Sequence, residues 1–64
     1  MNTRDLNLQV LDTLTAAGAP VTAQQVLAAG LALAGDESSR QAWTAFTQQN
    51  GALLTRRINA GIAG

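Results

Sequence analysis

A stop signal followed by a restart signal, between two helical patterns, most constrains how this chain folds. Large apolar residues recur at every fourth position: Leu6, Val10 and Leu14. This spacing is that of one face of an α-helix. Gly18 then stands where the end of a helix favours a left-handed residue, and Pro20 keeps the residue before it out of the α-helical region. We therefore predict a first helix over about residues 3–17.

The restart signal begins at Thr22. Its hydroxyl is placed to accept a hydrogen bond from a free backbone amide of the first helical turn. Gln25, three residues later, is spaced to reach back to the Thr22 amide, which completes a capping box. Val21 and Val26 flank this cap at the spacing of a hydrophobic staple. The signals predict a second helix over about residues 22–34.

A third helix is predicted over about residues 39–50. Ser38 and Gln41 repeat the capping-box spacing, and the negative charge of Asp36 and Glu37 favours a helix start at this point. The apolar stripe of the helix consists of Ala42, Trp43 and Phe46. We expect the two aromatic side chains of this stripe to be the largest parts of the core.

Three points in the chain leave alternatives open. The second helix ends either at Gly30 or at Ala34, and we expect the later end. Asn50-Gly51 fits either a C-cap or a turn. The segment after it, residues 52–60, has apolar residues four apart, as in a helix, but also alternates as a strand does. We favour the helix.

Composition favours a single all-α or mostly-α domain over residues 1–64. Much of the 47% apolar content is alanine, a strong helix former that adds little core volume. A chain this short buries only about 60% of the surface that its unfolded form exposes, so we expect self-association as a homodimer to add stability. The sequence thus predicts a three- to four-helix bundle of helix-turn-helix type, with a rudimentary wing as the alternative for the C-terminal segment.

Several functional classes lack the residues that they need. Cysteine and histidine are absent, which removes thiolate and imidazole metal ligands and the commonest acid–base group. The serine hydroxyls have no histidine or lysine to act as a base. We therefore expect no enzyme, no metal and no cofactor. Neither a signal peptide nor a membrane span is visible, so we expect a cytoplasmic protein without membrane contact.

Residues suited to nucleic-acid contact lie at the start of the third predicted helix and near the C-terminus. A recognition helix presents its first residues to base edges, where arginine pairs with guanine and glutamine with adenine, and further arginines contact phosphates. The candidate DNA contacts are Ser38, Ser39, Arg40, Gln41 and Thr44 for the groove and Arg56 and Arg57 for phosphates. The alternative is an ordinary polar surface, because the neighbouring Asp36 and Glu37 repel phosphate.

The order of these elements resembles that of helix-turn-helix and winged-helix DNA-binding domains. Residues 10–29 are similar to their first two helices, residues 39–42 to the beginning of the recognition helix, and residues 51–57, which end in Arg-Arg, to the segment that leads into a wing. The resemblance implies a small transcription regulator that binds DNA as a dimer.

A second function class stays open, namely a protein-interaction module such as an adaptor, an inhibitor or a phage-type accessory protein. The formal net charge is zero and lysine is absent, which weighs against a strong generic nucleic-acid binder. Helix surfaces rich in alanine let another helix approach closely, and leftover apolar surface favours a protein partner. DNA titration and partner capture distinguish the two classes.

Overall fold

The computed structural model describes residues 2–63 and shows a three-helix fold. Helix α1 covers Thr3–Ala17, α2 covers Ala23–Leu33 and α3 covers Glu37–Ala63. No strand occurs in the described range, so the all-α fold class is confirmed and the rudimentary wing is wrong. Among the helices of the described residues, none is both long and apolar enough to cross a membrane.

Helix α1 begins and ends where the sequence predicts. The Asn2 side chain caps it by accepting a hydrogen bond from the backbone amide of Asp5 at 2.8 Å. Gly18 closes it in the left-handed region, with φ 77°, and donates its amide to the carbonyl of Thr15 at 3.2 Å. A residue with a Cβ is strained in that region, which is why the helix stops at this glycine.

Helix α2 has the predicted capping box. The backbone amide of Gln25 donates to the Thr22 hydroxyl at 3.3 Å, and the backbone amide of Thr22 donates to the side-chain oxygen of Gln25 at 2.8 Å. The helix runs through Gly30 and ends at Leu33, with Ala34 as its C-cap. The later of the two predicted ends is therefore confirmed to within one residue.

Helix α3 begins two residues earlier than predicted, and Asp36 caps it instead of Ser38. The Asp36 carboxylate accepts the backbone amide of Ser39 at 2.7 Å. Hydrogen bonds from the side chain and the backbone of Ser39 hold the pKa of Asp36 below its ordinary value. An ionised carboxylate is a stronger acceptor than a hydroxyl, which explains why it displaces the serine cap. Gln41 contacts Glu37 instead, at 3.4 Å between Nε2 and Oε1.

Helix α3 also passes through Asn50-Gly51 without a break, so the expected C-cap or turn at this point is wrong. The predicted helix over 52–60 is a continuation of α3, and the strand alternative is wrong. The Asn50 amide nitrogen donates to the carbonyl of Phe46 at 3.2 Å, within the helix. Burial of Leu54 and Ile58 stabilises the second half of α3. This stabilisation outweighs the cost of about 1 kcal/mol for a glycine inside a helix.

The core forms where the three helices meet. Its buried apolar side chains are Leu6, Val10, Val26, Trp43, Leu54 and Ile58. Trp43 is 0% exposed, as predicted, and its ring centroid lies 5.5 Å from that of Phe46. Phe46 is only half-buried at the border of the core, and Ala42 is exposed. The predicted stripe is therefore right for Trp43, partly right for Phe46 and wrong for Ala42, which lies on the outer side of α3.

Trp43 packs directly on the backbone of α2 at Gly30. A Cβ at position 30 would overlap the indole nitrogen and the neighbouring ring carbons. The same indole nitrogen donates a hydrogen bond to the carbonyl of Leu27 at 3.1 Å. Gly30 is therefore required by close approach of the ring rather than by helix termination, which was the role considered for it from the sequence.

The contacts along α3 fix the directions of the other two helices. Asn59, near the end of α3, exchanges two hydrogen bonds with the backbone of Val21, which precedes α2, at 2.8 and 3.0 Å. The later α2 residue Leu27 meets Trp43, near the start of α3, so these helices are antiparallel. A Cβ on Gly61 would meet the Thr15 methyl group at 3.6 Å, which places the last turn of α1 beside the last turn of α3.

Candidate interaction surface

The residues predicted to enter a DNA groove are only partly free to do so. Ser39 is 7% exposed and takes part in the cap formed by Asp36. The Thr44 hydroxyl donates to the carbonyl of Arg40 at 2.9 Å within α3. Ser38 and Gln41 are exposed, as is Arg40. The start of α3 therefore presents a smaller polar surface than the sequence predicted, and it carries the negative charge of Asp36.

The structure does not bring the two groups of predicted DNA contacts together. Arg56 and Arg57 are exposed, but they lie on the same continuous helix as Arg40. Sixteen residues of α-helix separate Arg40 from Arg56 by about 24 Å along the axis and by about 160° of rotation. A wing would have returned these arginines towards the start of the recognition helix. The straight continuation of α3 keeps them apart.

Charge is separated along the chain although the total is zero. Residues 38–63 contain three arginines and no carboxylate, which gives a side-chain charge of +3. Residues 2–37 contain four carboxylates and one arginine, which gives −3. Within the described range, the guanidinium groups of Arg56 and Arg57 make no hydrogen bond or ion pair with another side chain or with the backbone. Their charge is therefore available to a partner.

Two leucines outside the core are about half exposed: Leu8 of α1 at 53% and Leu53 of α3 at 52%. The contact between Thr15 and Gly61 locates both. Leu8 lies seven residues before Thr15 and therefore points within about 20° of the same direction from the axis of α1. Leu53 lies eight residues before Gly61 and is rotated from it by about 80° around α3, towards solvent. Both leucines therefore border the outer side of the seam between α1 and α3.

These leucines also lie at the same height on the fold. Leu6 is fully buried in one cluster with Leu54, so α1 must run parallel to α3, because an antiparallel α1 would carry Leu6 beyond the end of α3. Counting back from the Thr15–Gly61 contact places Leu8 and Leu53 about 10 and 12 Å from it. We call this surface the leucine face; it comprises Leu8, Asp12 and Thr15 of α1 and Leu53, Arg56 and Gly61 of α3.

The sequence patterns described above do not point to the leucine face. The helical spacings involve other leucines, of which Leu6 and Leu54 are buried in the core. The signal that could have found the face is register, because Leu8 and Leu53 are each out of step with the buried stripe of their own helix. Large apolar side chains on a polar helix side indicate surface that a monomer leaves uncovered.

A shallow groove of about 220 Å³ lies between α2 and α3 on another side of the bundle. Its lining residues are Ala23, Gln24, Leu27, Thr44, Thr47 and Gln48. Both threonine hydroxyls already donate to backbone carbonyls of α3 at 2.9 to 3.0 Å. The other polar lining groups are the side-chain amides of the exposed residues Gln24 and Gln48, and the groove has no charged side chain to orient a small ligand. Within residues 2–63 no group of three or more acidic side chains could hold a metal ion either.

Comparison of the chain with protein-family models, with curated protein sequences and with solved structures finds no match. The resemblance to helix-turn-helix domains stays a prediction.

Proposed function

We propose that this protein acts by binding a protein partner through the leucine face. The observation that carries the proposal is the placement of Leu8 and Leu53, each about half exposed, at one height on one side of the bundle. Within residues 2–63 the core contains only six buried apolar side chains. A domain this small has a low free energy of unfolding and needs its large apolar side chains in the core. The exposure of two leucines to water therefore favours a role for them in binding.

The surroundings of the leucines support a protein partner. Asp12 and Arg56 stand beside them, so the face has an apolar centre and charged edges of both signs. Such a surface, with apolar contacts at the centre and polar groups at the rim, is typical of protein–protein interfaces. Binding to the phosphate backbone of a nucleic acid depends on cationic side chains, and the negative charge of Asp12 would repel phosphates at this surface.

The test is capture from a lysate with matched variants. We expect wild-type protein to retain a specific partner, and Leu8→Ser combined with Leu53→Ser to lose it. Leu33→Ser is the control, since Leu33 is an exposed leucine, at 36%, on α2, and this variant should retain the partner. Equal retention by all three proteins, with the fold confirmed by the fluorescence of Trp43, would contradict the proposal.

DNA binding is the second candidate, and the +3 charge of residues 38–63 favours it. Arg40 and Gln41 would read bases, and Arg56 and Arg57 would contact phosphates, as predicted from the sequence. Fluorescence titration with mixed-sequence duplex DNA at low and moderate salt tests this candidate. We expect binding to weaken with salt and with Arg57→Ala if DNA is the ligand. No binding at low salt would exclude it.

A further inference from the structure

We propose that the occupant of the leucine face is a second copy of this chain, related by a two-fold axis that runs parallel to α1 and α3. The inference rests on the proposed function, because it takes the leucine face to be a protein-binding surface. Closed two-fold dimers are the commonest oligomers of soluble proteins, and their interface uses the same patch on both copies. A patch on α1 and α3 of one copy must then be complementary to itself.

The height of the leucines fits this symmetry. A two-fold axis parallel to the helices keeps every residue at its height and exchanges the two sides of the seam, so α1 of one copy faces α3 of the other. Leu8 and Leu53 differ by only about 2 Å in height, so Leu8 of each copy lies opposite Leu53 of the other. The dimer therefore covers all four half-exposed leucines.

Charge complementarity supports the same arrangement. Asp12 lies one turn after Leu8 and is rotated away from the seam, and Arg56 lies about one turn after Leu53 and is also rotated away from the seam. When α1 of one copy faces α3 of the other, the edge of α1 with Asp12 and the edge of α3 with Arg56 meet at similar height. Asp12 of each copy then lies opposite Arg56 of the other, in two symmetric pairs.

The other nearby charges are compatible with this docking. Arg4 lies one turn before Leu8, and Arg57 lies one turn after Leu53. Both are rotated towards the seam, and they lie about 10 Å apart along the axis. Asp5, before Leu8, lies on the same outer edge as Asp12 and adds to its negative charge. The edge of α1 is therefore acidic, and the facing edge of α3 contains Arg56 and no carboxylate.

The size of the face limits the strength of the dimer. The Cα positions extend over 34 × 20 × 16 Å, so even the broadest side of the fold measures only roughly 700 Å², slightly below the about 800 Å² per partner of a standard interface. We therefore expect a dimer that dissociates in the micromolar range, and its stability should fall as salt screens the charged pairs.

The experiment measures the dissociation constant by sedimentation equilibrium of the full chain at low salt. We expect wild-type protein to form dimers and Leu8→Ser to raise the dissociation constant by at least about tenfold. Leu33→Ser, on α2, is the control and should leave it unchanged. Helical circular dichroism and the emission of Trp43 confirm the fold of each variant.

Charge exchange tests the two-fold arrangement itself. Asp12→Arg and Arg56→Asp should each weaken the dimer several-fold, because each places two like-charged pairs in the interface. Mixing the two variants in equal amounts should restore dimers, since both contacts are then of opposite sign. The double variant should restore them by itself. The proposal would be overturned if the folded single variants dimerise as strongly as the wild type. It would also be overturned if neither the mixture nor the double variant restores the dimer.

The outcomes also separate this inference from the proposed function. If wild-type protein stays monomeric at high concentration while a lysate partner is still lost with Leu8→Ser and Leu53→Ser, the second copy is wrong and protein binding through the face stands. If the chain dimerises but the leucine variants do not weaken the dimer, the second copy is wrong as the occupant of this face, and the lysate capture alone then decides whether the face binds a different protein.

Discussion

Replacing Gly30 by alanine should destabilise the fold although alanine is the better helix former. The substitution alone gains about 1 kcal/mol of helix propensity. The added Cβ overlaps the Trp43 indole, so the ring must move. Overpacking of this kind costs about 1–3 kcal/mol, and loss of the hydrogen bond to the carbonyl of Leu27 adds about 0.5–1.5 kcal/mol.

The net effect is a loss of about 0.5–3.5 kcal/mol in the free energy of unfolding. A single core of this size supplies only about 3–5 kcal/mol, so the loss is a large part of the total. In a domain of this length each kcal/mol lowers the melting temperature by about 4–8 °C. We therefore expect Gly30→Ala to be folded marginally and to melt well below the wild type.

Gly51→Ala is the matched control, because it is the same substitution inside another helix. A Cβ at Gly51 would meet only the Thr47 Cβ, at 3.9 Å, which is an ordinary contact. The propensity gain is not opposed, and we expect stabilisation of up to about 1 kcal/mol. The two variants should thus change stability in opposite directions.

Urea unfolding measures both changes. The chain has one tryptophan and no tyrosine, so fluorescence reports on Trp43 alone, and circular dichroism reports on the helices. Coincident transitions from both probes justify a two-state analysis. The reasoning is refuted if Gly30→Ala is as stable as the wild type, or if Gly51→Ala is destabilised by as much as Gly30→Ala.

Two further variants test contacts that hold the ends of α3. Asn59→Ala should cost about 1–3 kcal/mol of stability in urea unfolding, because it leaves both backbone groups of Val21 without a partner; Asn50→Ala, which loses only a contact within α3, should cost less. The bonds from Ser39 lower the pKa of Asp36 in the fold, so the stability that they provide is present above about pH 4 and is lost as pH falls through the folded pKa. Asp36→Asn should remove this component of a pH titration of stability, and an unchanged pH profile would contradict the assignment.

The first two helices could be predicted because their signals are local. Gly18 closes α1 by its own backbone geometry, and Thr22 with Gln25 caps α2 within four residues. No distant contact is needed for these features, and the structure agrees with the sequence at each of them. The buried position of Trp43 followed equally directly, since a small core needs its largest side chain.

The helix favoured over residues 52–60 is confirmed, but its unbroken continuation from the first half of α3 could not be predicted in the same way. Asn50-Gly51 has the local character of a helix end, and only the burial of Leu54 and Ile58 against the other helices outweighs it. That burial depends on where α1 lies, which no local pattern states. The role of Gly30 was hidden for the same reason, because it depends on a ring that is thirteen residues away in the chain.

The continuity of α3 also decides which functional hypothesis the geometry favours. Had the chain turned at Gly51, Arg56 and Arg57 would have folded back beside Arg40 and formed a basic surface at the start of a recognition helix. Because the helix continues, these residues lie about 24 Å from Arg40, and Leu53 comes to the height of Leu8 on the outer side of the bundle. The same feature that separates the predicted DNA contacts therefore assembles the leucine face. Fast amide exchange confined to residues 50–54 would indicate that α3 breaks at Gly51 in solution. That result would count against the protein-binding hypothesis and in favour of the DNA-binding hypothesis.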